Sequence, residues 1–94
     1  MSYAEVCGAV EALQKKYHES NPFRLCEDMN ILLLSQALGN APDAIKGFYL
    51  ESKRIQTITV NCDMPEAVQR IIVAHELGHA ALHRHSGVHA FHDI

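Results

Sequence analysis

The sequence predicts an α+β fold: two N-terminal helices, a small mixed or antiparallel sheet of three strands, then a helix carrying His75-Glu76-Leu77-Gly78-His79. Three observations predict it. Val6, Ala9, Val10 and Leu13 recur at three and four, the period of a helix with one buried face. Ile55 to Val60 is β-branched and mostly alternates, the period of a strand. From Ala67 to Leu82 the chain is apolar on most sides, the composition of a buried helix.

The elements follow in order. The first helix is expected over residues 2–18, with Ser2 as N-cap and Glu5 completing a capping box. Lys15, Lys16 and His18 suit its negative C-terminal end. Asn21-Pro22 opens a second, short helix, since Asn caps well and Pro fits the first helical turn. Phe23, Leu25 and Cys26 should face the core, and Asn30 should end the helix. Ile31 to Ser35 is an apolar run of strand length, and Gly39 to Asp43 is a loop by composition. Residues 47–50 and 55–60 read as a hairpin, with Glu51-Ser52-Lys53-Arg54 as its polar turn. Pro65 begins the last helix, Glu66 sits at its positive end, and Ser86-Gly87 should stop it. Beyond that lies a histidine-rich tail with no periodicity, expected to be a solvated terminus without an element of its own.

Composition excludes several functions. Ninety-four residues make one small domain, 1–94. A net charge of −3 offers no footprint for nucleic acid or an anionic membrane. No apolar run approaches the length of a membrane span, and the acidic N-terminus is unlike a signal peptide. Cys7, Cys26 and Cys62 are odd in number, widely spaced and lack C-x-x-C, which points to reduced, structural, core or half-buried thiols in a cytoplasmic protein. Nothing in the sequence indicates an oligomeric state.

The chemistry lies in the pattern H-E-x-x-H. Residues four apart on a helix share a face and sit about 6 Å apart along the axis. His75 and His79 can therefore hold one Zn2+ ion, and Glu76 can reach a water on it as general base for hydrolysis. The stripe Val68, Ile71, Ile72 leads into the two histidines, so both are expected to be sheltered. A catalytic zinc site takes a third protein ligand. His83 lies about 12 Å along the axis from His75, too far to share an ion on a straight helix. His85 has the spacing of the metzincin pattern, but that pattern needs a glycine at position 82, where this chain has Leu82. His89, His92 and Asp93 would reach the metal only if the tail folded back.

These residues, taken with Asn21-Pro22-Phe23, Gly47-Phe48-Tyr49, Ile58-Thr59-Val60-Asn61 and the run Gln69 to Ala80, resemble the N-terminal part of the ImmA/IrrE family of metallopeptidases. The H-E-L-G-H core is shared by many zinc peptidases, and the order of the flanking pieces makes the resemblance specific. It implies an α+β zinc endopeptidase with His75 and His79 as metal ligands and Glu76 as base. It implies a protein or peptide substrate, a helix-turn-helix repressor, in a bacterial or mobile-element cytoplasm. It also implies an acidic third ligand on a following helix, in a segment this chain lacks, so the expectation is a truncated, inactive form. A non-catalytic module that binds a repressor or another protein without cutting it is the alternative, and His85 as third ligand is a further one.

Overall fold

A computed structural model describes residues 2–84 and 91–93. Three helices and a sheet form the expected α+β arrangement: α1 (Tyr3–Tyr17), α2 (Pro22–Asp28), β1 (Leu32–Gln36), β2 (Gly47–Ser52), β3 (Ile55–Asn61), α3 (Glu66–Arg84) and β4 (Phe91–Asp93).

The caps read from sequence are present. The Glu5 amide donates to Ser2 Oγ at 3.1 Å and the Ser2 amide donates to Glu5 Oε1 at 3.3 Å. Asn21 Oδ1 accepts from the Phe23 amide at 3.0 Å, which starts α2. α1 ends where His18 turns to a left-handed φ of 53°. At the other end of the chain, the Pro65 carbonyl accepts from the Gln69 amide at 3.0 Å and opens α3.

The strand order is β1-β3-β2-β4. β1 runs parallel to β3, and β2 is antiparallel to both β3 and β4. The sheet thus gains a fourth strand where the tail was expected to carry no element. Phe91–Asp93 pairs with Phe48–Leu50, which satisfies backbone groups that β2 would otherwise leave at a sheet edge. The hairpin is also tighter than its composition suggests. Ser52 pairs with Ile55, so Glu51 and Ser52 belong to β2 and the turn is Lys53-Arg54 alone. Both turn residues have positive φ, 51° and 69°, as a two-residue turn between twisted strands demands.

α3 packs across β2 and β3, with α1 and α2 against its flanks. Tyr49, Ile58 and Val60 on the covered sheet face meet Ile72, Val73 and Leu77 of α3 in one buried cluster. Gly47 permits this approach: a Cβ there would lie 2.5 Å from Ile72 Cγ2 and 2.8 Å from the Thr59 carbonyl oxygen. Leu25 and Cys26 join the core, with Phe23 packed on its edge. The opposite sheet face is open and shows Leu32, Leu34, Leu50 and Ile55.

Two burial expectations are corrected. Ile71, placed by sequence on the sheltered stripe, is 68% exposed, because the core takes the positions one and two residues further round the helix. Cys62 is exposed, just past the end of β3, whereas Cys26 is buried and Cys7 half-buried; all three are free thiols. Burial pushes the Cys26 thiol up to about 12, which keeps it protonated and inert.

Candidate metal centre

α3 brings His75, Glu76 and His79 together. His79 is 7% exposed and Glu76 fully buried, while His75 is half-buried at the edge of the helix face. The two ring Nε2 atoms lie 3.0 Å apart and the ring centroids 4.6 Å apart, with the planes inclined at 61°. Tetrahedral zinc with Zn–N bonds of about 2.05 Å separates two ligand nitrogens by about 3.3 Å. The pair is therefore pinched to within a few tenths of an ångström of the spacing a shared ion requires. Both rings would then carry their proton on Nδ1, leaving both Nε2 lone pairs for the ion.

Glu76 occupies the core side of the helix, with Val73 and Ala80 one turn away on either side and both fully buried. Burying a carboxylate costs free energy that an apolar residue at the same position would not, which makes Glu76 a candidate functional residue.

Gly78 shows why the second variable position of the motif is small here. A Cβ on Gly78 would lie 2.6 Å from Val6 Cγ1, 2.8 Å from the Val6 carbonyl oxygen and 3.0 Å from Val10 Cγ2. The glycine lets α1 cross directly over the motif and roof it. Beside that crossing a groove of about 270 Å³ opens between the helices, lined by Tyr3, Cys7, Val10, Ile71, Ala74 and His75 among others. A hydrogen bond between the Tyr3 hydroxyl and the Cys7 thiol raises the pKa of Tyr3.

The sequence reading missed α1 as a wall of the site, although Ile71 and His75 at four-residue spacing mark the same helix face. It also missed Asn61. That buried side chain donates to the carbonyls of Gly39 at 2.7 Å and Ile45 at 2.9 Å. It accepts from the amides of Leu38 at 3.1 Å and Asp63 at 3.0 Å, and so ties the loop between β1 and β2 to the strand that leads into α3.

Among the described residues no group of three or more His, Cys, Asp or Glu is placed to hold a metal. His83 lies in the last turn of α3, and His85 and His89 lie outside the described residues. His92 and Asp93 stand in β4, whose backbone registers with Tyr49 and Phe48. No helix among the described residues is long and apolar enough to cross a membrane.

Comparison with known proteins adds a family. The model for the M78 peptidases, described as the IrrE N-terminal-like domain, matches residues 26–93. A Bacillus phage phi105 protein named "Uncharacterized immunity region protein 2" is 38% identical over 81 residues, which make up 86% of this chain and 49% of that protein. The chain thus spans about half the length of that relative. No solved structure matches the chain.

Proposed function

The chain belongs to the M78 peptidase family with an IrrE N-terminal-like domain, and on that premise we propose that it carries the zinc-binding half of a metallo-endopeptidase site. The observation that carries this reading is the 3.0 Å approach of the His75 and His79 Nε2 atoms on the helix that buries Glu76. His75 and His79 hold the ion. Zinc, when bound, supplies a Lewis acid for the scissile carbonyl and acidifies water. Glu76 takes the proton of the attacking water and delivers it to the leaving amine nitrogen. Burial on the core side of α3 keeps His79 and Glu76 out of bulk solvent, where a carboxylate acts more strongly on a nearby proton.

The substrate we propose is a protein, a helix-turn-helix repressor, cleaved in the cytoplasm. The name of the phage relative, an immunity region protein, is in keeping with that class. A third donor completes the site from outside the His75–His79 pair, with an acidic side chain as first choice and His85 as second.

Calorimetric zinc titration tests the reading. One site should appear in the 94-residue chain, vanish in His75→Ala and survive in Glu76→Gln; retention in His75→Ala would move the metal elsewhere and sink the assignment. With a candidate repressor as substrate in a form that contains the third donor, Glu76→Gln should bind zinc yet leave the repressor intact on a gel. Zinc binding without cleavage by the unsubstituted protein would favour the non-catalytic binding module.

A further inference from the structure

We propose that the groove between α1 and α3 is a specificity subsite that takes a large apolar side chain of the polypeptide substrate, next to the bond that is cut. The proposal rests on the reading of His75 as a metal ligand, because His75 is both a wall of the groove and a member of the Nε2 pair. A side chain seated there would place its own backbone at the site.

The lining sets the chemistry. Tyr3, Val6, Val10, Ile71 and Ala74 present mostly carbon, with Glu11 as the one carboxylate. Glu11 disfavours an acidic guest and leaves an apolar one indifferent. The size sets the occupant: an apolar cavity of about 150 Å³ accepts a benzene ring, whereas pockets for cofactors and drug-sized ligands start at about 300 Å³. At about 270 Å³ the groove suits one leucine- or phenylalanine-sized side chain with some of its backbone. Its lips are apolar and wet, with Tyr3 75% and Ile71 68% exposed. An occupant would remove that surface from water. The open sheet face is also apolar, but it lies on the side of the sheet away from α3, so it offers no route to the histidines.

The wall supplied by α1 lies outside residues 26–93, the span of the family match. The catalytic helix is thus shared by the family, while half of the groove belongs to a segment beyond the shared region. This division suits a subsite that sets which sequence is cut rather than whether cutting occurs.

Chemical-shift titration of the full isotope-labelled chain tests the proposal. The probes are four blocked hexapeptides, identical but for a central Leu, Phe, Ser or Asp. The Leu and Phe peptides should shift the amides of Cys7 and Ala74 and bind about 10-fold or more tightly than the Ser peptide, the advantage expected for burying one such side chain. Ile71→Ser, at an exposed position that leaves the core intact, should shrink that advantage to below about 3-fold, and Ile55→Ser on the open sheet face should leave it unchanged. Equal binding of the Leu and Ser peptides, no binding of any at millimolar concentration, or a preference that responds to Ile55→Ser instead would overturn the subsite. So would sedimentation showing a dimer that Ile71→Ser dissociates, since the groove would then be an interface between copies. Zinc titration of the same samples separates the two readings. An apolar preference without a His75-dependent zinc site overturns the metal reading alone, and zinc binding without the preference overturns the subsite alone.

Discussion

α3 has two apolar faces with different fates. One, formed by Ile72, Val73, Leu77 and Ala80, is closed against the sheet with at most 2% exposure. The other, formed by Ile71, Ala74 and His75, is only partly roofed by α1 and borders a groove. Both begin with adjacent isoleucines in sequence, yet Ile72 is 2% exposed in the core and Ile71 is 68% exposed at the groove. The H-E-x-x-H motif sits where helix packing stops: Glu76 falls on the closed side at 0% exposure, His79 is buried at 7%, and His75 is half-buried on the open side.

The comparison breaks most sharply by truncation on each side. Leu77→Ala should cost about 3 kcal/mol of unfolding free energy, because it leaves a cavity in a fully buried layer. Ile71→Ala, six residues earlier on the same helix but 68% exposed, should cost less than about 0.5 kcal/mol. Urea unfolding of both variants measures the contrast, and equal losses would mean that the two faces are energetically alike.

Gly78→Ala should cost about 1–3 kcal/mol by forcing α1 away from α3. Combining it with Val6→Ala should recover only part of the loss, since the Val6 carbonyl oxygen, 2.8 Å from the new Cβ, is backbone and stays. Full recovery in the double variant, read by the same unfolding assay, would show that side-chain crowding alone sets the crossing.

Cys26 sharpens the contrast through pH. Its thiol is pushed from 9.0 to about 12 by burial, so the folded chain keeps a proton that the unfolded chain loses. That contribution is fully present below about pH 9 and is lost as pH rises toward 12. The slope should not exceed about 1.4 kcal/mol per pH unit. The difference in stability between the unsubstituted chain and Cys26→Ala, followed from pH 8 to pH 10.5, should narrow as pH rises; a constant difference would contradict the shift.

The smallest effect lies far from either face of α3. Arg54 holds a φ of 69° in the hairpin turn, and Arg54→Gly should stabilise by about 0.5–1 kcal/mol. A thermal melt shifted upward by a few degrees is the expected result, and destabilisation would mean that the Arg54 side chain makes contacts worth more than the backbone strain.

The helices, their caps and the close approach of the two motif histidines were legible in sequence because each depends on residues within four positions of one another. Ser2 with Glu5, Asn21 with Phe23, and His75 with His79 are all local pairs, and helical geometry alone brings each together. The parallel pairing of β1 with β3, the pairing of residues 91–93 with β2, the hydrogen bonds of Asn61 across the β1–β2 loop and the packing of α1 on Gly78 join residues 16 to 72 positions apart. No periodicity encodes such partners. Which of several equally apolar faces is buried is decided only when the elements pack, because the hydrophobic effect rewards area removed from water without regard to which neighbour removes it. Sequence alone therefore determined the helix and the spacing that brings His75 and His79 together on it. Tertiary structure decided that Ile71 would stay in water, that α1 would wall the site, and that a groove would open beside His75.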